Sequence, residues 1–140
     1  MANVRAKVFE YASSLDPDGT VRSEDGTPLA LPESWTPEDL LLSALLRCIT
    51  ASLRYYAEPK GIAVTVAGRA RGTVTLRESD GVFGLVEAAA EMDVTLDPPP
   101  APDDVAKLLV RAKAGCFVSN SLSVKPSFTW RVNGAAVEPA

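Results

Sequence analysis

Cys48 and Cys116 are the whole thiol complement of this 140-residue chain, and the sequence contains no histidine. Each cysteine lies on a segment whose apolar residues recur at helical spacing. Without histidine the commonest general base and the commonest transition-metal ligand are missing, together with every Ser-His or Cys-His nucleophile arrangement. Thiols, carboxylates, amines and guanidinium groups remain, so the chemistry to expect is redox chemistry of the cysteine pair. Two cysteines cannot close a structural zinc site, which takes four nitrogen or sulfur ligands. No metal and no cofactor is expected.

Taken alone, a cysteine on an apolar helix face is also a small core hydrophobe. The elements that carry the two thiols therefore matter. Thr36-Pro37-Glu38-Asp39 supplies an N-cap residue, a proline for the first helical position and two acids for the first turn. The helix so predicted runs from Leu40 to Ala57 with Leu41, Ala44, Leu45, Cys48, Ser52 and Tyr55 on one broad stripe, and its apolar character nearly all round predicts burial. A second helix is predicted from near Pro102, with Val105, Leu108, Leu109, Ala112 and Cys116 on its core side.

Strands fill the rest. Val4, Ala6, Val8 and Tyr11 approach a period-2 pattern, the turn Asp16-Pro17-Asp18-Gly19 follows, and Thr20 to Glu24 and a turn at Asp25-Gly26 lead to Leu29 and Leu31 in a meander. Between the helices, Ile62 to Leu96 predicts one long hairpin turning at Ser79-Asp80-Gly81, with glycines at 68 and 72 that mark a bend and Pro98-Pro99-Pro100 as its stop. After the second helix, a link over Ser119 to Ser123 precedes a last strand from Ser127 to Val132, with Phe128 and Trp130 on one face. With no repeat and no linker, residues 1–140 read as a single α+β domain.

Composition narrows the partners. The chain is 46% hydrophobic and 23% charged, which is ordinary globular composition, and its net charge of −4 comes without any Lys/Arg run. Nucleic acid and membrane are therefore not expected as partners. Met1 to Glu10 alternates charged and apolar residues, unlike a secretory signal, and a cytoplasmic location is expected. In that reducing compartment a cysteine pair cycles rather than staples.

The stretch Thr36 to Cys48, reading TPEDLLLSALLRC, followed later by Ala112 to Leu122, reading AKAGCFVSNSL, resembles the osmotically inducible protein C and organic hydroperoxide resistance (OsmC/Ohr) family. The first segment is similar to that family's helix with a Pro-Glu start and a cysteine ten residues after the glutamate. The second is similar to its cysteine before a Ser/Asn segment. With the order of elements, the likeness covers nearly the whole chain. It implies an OsmC-like fold of antiparallel sheets and two core helices, an intertwined homodimer, and active sites at the subunit interface. It further implies a thiol peroxidase acting on organic hydroperoxides, with Cys48 as the peroxidatic thiol and Cys116 as the resolving thiol. A dithiol, in the family a lipoylated protein, is the implied reductant.

The family also places an arginine near the first β-turn, paired with the glutamate, whereas this turn has none. Arg22, three residues on, is the nearest substitute, and a solvated strand residue is its other reading. Glu38 reads either as a site acid or as a dipole acid of the helix start. Glu38 and Cys48 stand ten positions apart, about 15 Å of rise and roughly 80° of rotation on one helix. They can meet only if the helix packs antiparallel against its twin across a two-fold axis.

A peroxidase also needs the cation. A thiol of pKa about 8.5 is about 3% thiolate at pH 7, and lowering the pKa three units raises that roughly 30-fold. With nucleophilicity falling at β of about 0.4 to 0.5, the same shift costs roughly 16- to 30-fold. The two nearly cancel, so a cation must hold the peroxide and stabilise the departing alkoxide. The alternative reading is non-enzymatic: a dimeric binding or redox-sensing protein with an apolar interface pocket.

Overall fold

The computed structural model describes residues 7–139. The chain forms two compact units, Met1–Thr36 and Pro37–Ala140.

The N-terminal unit is a three-stranded antiparallel meander, β1 (Ser14–Leu15), β2 (Val21–Arg22) and β3 (Pro28–Leu29). Its two turns fall where Asp-Gly pairs predict them. Gly19 and Gly26 hold φ of +88° and +87°, a left-handed conformation that glycine adopts without steric cost. Asp18 and Asp25 brace these turns by accepting the backbone N–H of Thr20 and Thr27, each at 3.0 Å. Hydrogen bonds from Ser23 and Thr27 pull the Asp25 carboxyl down to about 2.

The expected first strand differs. Val4 and Ala6 lie outside the described residues, and Val8 to Tyr11 form no strand. The pairing Ser14↔Arg22 and Leu15↔Val21 is set by the first turn, and the second, closed by the Gly26 N–H on the Ser23 carbonyl, ends β2 after Arg22. Residues 7–13 thus have no strand opposite them within this unit.

The second unit opens with α1 (Pro37–Ala57), as its start signals predict. A 3₁₀ turn over Glu58–Lys60 and Gly61 at φ +76° end it. β4 (Ala63–Leu76) and β5 (Phe83–Asp97) make the long hairpin, α2 (Pro102–Ala114) and a five-residue α3 (Phe117–Ser121) follow, and β6 (Ser127–Val132) and β7 (Ala135–Val137) close the unit. The sheet runs β4-β5-β6-β7, antiparallel except for the parallel pair β5·β6. Parallel neighbours need a long crossover, which α2 and α3 supply.

Even-numbered β5 residues Ala90, Met92, Val94 and Leu96 face the helices and meet Leu45, Ile49 and Leu53 of α1 and Val105, Leu108, Leu109 and Ala112 of α2. The glycines at 68 and 72 lie inside the continuous strand β4, whose pairing with β5 shifts register between Thr73 and Val74. A Cβ at Gly68 would stand 2.9 Å from the Glu91 carbonyl oxygen, and one at Gly72 would stand 2.7 Å from the Leu85 Cδ1. These glycines serve close packing.

Burial of α1 also departs from expectation. Leu45, Ile49, Ser52, Leu53 and Ala57 are buried, whereas Ala44 is exposed, Leu41 is 36% exposed and Tyr55 is 71% exposed. The sheet and α2 cover one side of the helix, and its apolar far side has no cover within the unit. Among the described residues no helix is long and apolar enough to cross a membrane.

Candidate functional site

Cys48 sits midway along α1, one residue before the buried Ile49, and is half-buried. Cys116 is fully buried. Its expected place on the stripe of the second helix is corrected: α2 ends at Ala114, and Cys116 is the extended residue just before α3. The expected Ser/Asn link is largely that short helix. Gly115 closes α2 by donating its N–H to the Arg111 carbonyl at 2.9 Å, and Cys116 donates to Lys113 at 3.2 Å. The Asn120 N–H and Ser119 hydroxyl then reach back to the Cys116 carbonyl at 3.1 Å and 3.0 Å, and the Asn120 amide donates to the Ala114 carbonyl at 2.9 Å. Ser119 and Asn120 thereby fix the backbone on which Cys116 stands.

That turn is pressed against α1. Ser52, one helical turn beyond Cys48 on the same face, donates its hydroxyl to the Ala112 carbonyl at 2.7 Å in a buried contact. At Gly115 a Cβ would stand 2.7 Å from the Ser52 Oγ and 3.2 Å from the Tyr56 ring. Only a residue without a side chain lets the end of α2 approach α1 so closely. The approach sets the two thiols beside one another, near enough for Cys116 to act on the ionisation of Cys48.

Electrostatics at Cys48 oppose one another. Burial raises its pKa, and the hydrogen bond and charge interaction with Cys116 raise it further, while the backbone N–H groups of Val118 and Phe117 lower it. Those N–H groups belong to the first turn of α3, where a helix has no internal partner for them. The balance is a pKa above the ordinary thiol value. Among the described residues no cation contributes to the shift. Cys48 is thus a protonated thiol at neutral pH, facing a second thiol and two amide donors.

Of the remaining candidates, Glu38 and Arg47 stand on α1 and Arg22 belongs to the N-terminal unit. Glu38 is exposed at the second position of α1, and one straight helix holds it about 15 Å from Cys48, so the single chain does not bring them together. Arg22, on β2, donates its Nε to Asp16 at 2.8 Å and its Nη1 to the Gly26 carbonyl at 3.2 Å. Arg47 is exposed and lines a groove of about 650 Å³ with Arg54, Val66 and Met92.

Sequence reasoning missed Ser52 and Gly115 as the contact that joins the cysteine segments. The signal was Gly115 itself, a glycine just past the last periodic residue of a helix, where chains commonly stop helices.

The sequence profile described as OsmC-like protein matches residues 30–131. An OsmC-like protein of unknown function from Vibrio cholerae has the same fold at a TM-score of 0.72 and 15% identity, covering 89% of this chain and all of that one. An OsmC-like protein from Mycoplasma pneumoniae gives a TM-score of 0.62 at 21% identity, over 91% of this chain and 96% of its own. The organic hydroperoxide resistance protein OhrB of Bacillus subtilis gives 0.52 at 16% identity, over 89% and 96%. No curated protein matches the chain. With both cysteine segments inside the matched stretch and the α+β order shared with these structures, the chain belongs to the OsmC-like family.

Proposed function

We propose that the protein is a thiol peroxidase that reduces organic hydroperoxides through Cys48 and Cys116. The observation that carries the reading is the closeness of the two thiols, near enough for Cys116 to act on the ionisation of Cys48. Cys48, as thiolate, attacks the O–O bond; the hydroxyl oxygen stays on sulfur as a sulfenic acid, and the other leaves with the alkyl group as an alkoxide that takes a proton from solvent to become the alcohol. The Cys116 thiol then displaces that hydroxyl as water and forms a disulfide. A dithiol reductant accepts the disulfide and returns both thiols, and family resemblance makes a lipoylated protein the candidate.

Burial of Cys116 supports this division of labour. A thiol that peroxide cannot easily reach is protected from direct oxidation yet adjacent to the sulfenic acid formed on the more accessible Cys48. The two α3 amide donors suit a thiolate or sulfenate at Cys48 better than a thiol. Arg22 is the candidate cation and Glu38 its candidate acid, both contributed to a site completed in a homodimer. Exposed Leu41 and Tyr55 on the uncovered side of α1 favour that dimer. A cytoplasmic setting would keep both thiols reduced between turnovers.

The raised pKa of Cys48 favours a second reading, a slow redox sensor or apolar-ligand protein without turnover. Free-thiol titration distinguishes the two. A peroxidase loses both thiols to one equivalent of cumene hydroperoxide, regains them with dihydrolipoamide, and repeats the cycle. A chain that keeps both thiols is no peroxidase. Arg22→Ala should slow the oxidation about 100-fold if its guanidinium holds the peroxide.

A further inference from the structure

We infer that Ser52 is a positioning residue for the cysteine pair: its bond to the Ala112 carbonyl, seated against side-chain-free Gly115, sets the effective concentration of Cys116 at Cys48. This rests on the disulfide chemistry proposed above.

Three observations converge on this contact. Ser52 and Cys48 are four residues apart on α1, so they lie one above the other on the same face. Ala112 and Cys116 are likewise four residues apart, joined by the tight turn through Gly115. The 2.7 Å hydrogen bond therefore ties the level of α1 next to Cys48 to the last turn of α2 next to Cys116. Ser52 is also one of only two buried polar residues in the described core, the other being Ser119, which holds the Cys116 carbonyl. Both buried hydroxyls are thus spent on the backbone that carries the second thiol.

The surroundings make the contact sensitive to small changes. A Cβ at Gly115 would stand 2.7 Å from the Ser52 Oγ and 3.3 Å from the Tyr56 hydroxyl. Adding one methyl there must push the end of α2 away from α1 or turn the Ser52 hydroxyl off its acceptor. Removing the hydroxyl leaves the Ala112 carbonyl buried and unpaired, which loosens the same joint from the other side. Either change moves Cys116 relative to Cys48. Disulfide formation demands a narrow sulfur geometry, so a shift of a few tenths of an ångström registers in its equilibrium.

The test is a redox titration of the full chain in dithiothreitol buffers, with no peroxide present. The Cys48 and Cys116 thiols give up two protons and two electrons to form the S–S bond, and oxidised dithiothreitol takes them up to become its dithiol. Ser52→Ala and Gly115→Ala should each weaken the protein disulfide about tenfold relative to the wild-type chain. Combining them should cost less than the product of the two, because without the hydroxyl the new methyl has less to meet. A role in stability alone predicts something else: a lower thermal midpoint for reduced and oxidised forms alike, with the redox equilibrium unchanged. That result in either single variant overturns the inference. A wild-type chain that stays reduced across the whole buffer range overturns the disulfide reading as well, and one that oxidises normally but ignores cumene hydroperoxide overturns only the peroxidase reading.

Discussion

The thiol of Cys48, midway along α1, lies beside that of Cys116, the residue immediately before α3, and the second of these thiols is wholly buried. With Cys116 removed, the chain has no second thiol to condense with a sulfenic acid on Cys48. In Cys116→Ser, excess cumene hydroperoxide should drive Cys48 to the sulfinic acid, seen by mass spectrometry as two added oxygens, whereas the wild-type chain stops at the disulfide. A Cys48 that remains a plain thiol in the variant would remove the resolving role from Cys116.

The pH dependence of Cys48 follows from the same surroundings. Burial and the neighbouring thiol hold its pKa above the ordinary value, so at neutral pH the thiolate is a minor form. Its alkylation by iodoacetamide should speed up about tenfold per pH unit and still be climbing at pH 9. The sign for stability is the reverse. A pKa raised on folding contributes stability below the unfolded value and loses it as pH rises through the folded one. Replacement by serine should flatten that loss at high pH. An alkylation rate that levels off below pH 8 would show that a cation governs the thiol instead.

Glu38 and Cys48 cannot cooperate on one helix, since about 15 Å separates them. If they act together across a two-fold axis, inactive Cys48→Ser and inactive Glu38→Gln chains should complement. Equal mixing by unfolding and refolding makes half of the dimers mixed, each with one intact site of two, and so restores about a quarter of wild-type turnover. No recovery in mixtures shown by mass to contain mixed dimers would take Glu38 out of the site.

The two β4 glycines should respond unequally to alanine. At Gly68 the added methyl meets the Glu91 carbonyl oxygen at 2.9 Å, a backbone atom held in the sheet. At Gly72 it meets the free end of Leu85 at 2.7 Å, which can rotate away. Urea unfolding should show Gly68→Ala destabilised by about 1–3 kcal/mol and Gly72→Ala by less. Equal losses would mean that the sheet yields as readily as the leucine.

Much of the second unit is legible from local patterns. Pro37-Glu38-Asp39 starts α1, the apolar alternation from Ile62 to Leu96 is the hairpin β4–β5, and Ser127–Val132 is β6. One strong signal went unread: Asn133-Gly134 is a two-residue hairpin turn, with φ of 49° and 82°, that adds β7. The Asn133 side chain also bonds the Leu96 backbone at 2.9 Å and 3.2 Å. Less legible was the end of α2. The i, i+4 spacing from Ala112 places Cys116 on the helix stripe, but periodicity is blind to a chain that leaves the helix two residues early.

The sequence by itself determined the chemistry on offer, because removing histidine and leaving two thiols is a matter of composition. It also determined most elements, because caps, turns and periodicity act between near neighbours. Only the tertiary structure decided that the thiols meet, how Cys48 titrates, and which glycine and serine hold the joint. Those depend on burial and on contacts between residues some 60 positions apart, and no local pattern encodes which face of one helix will stand against the end of another.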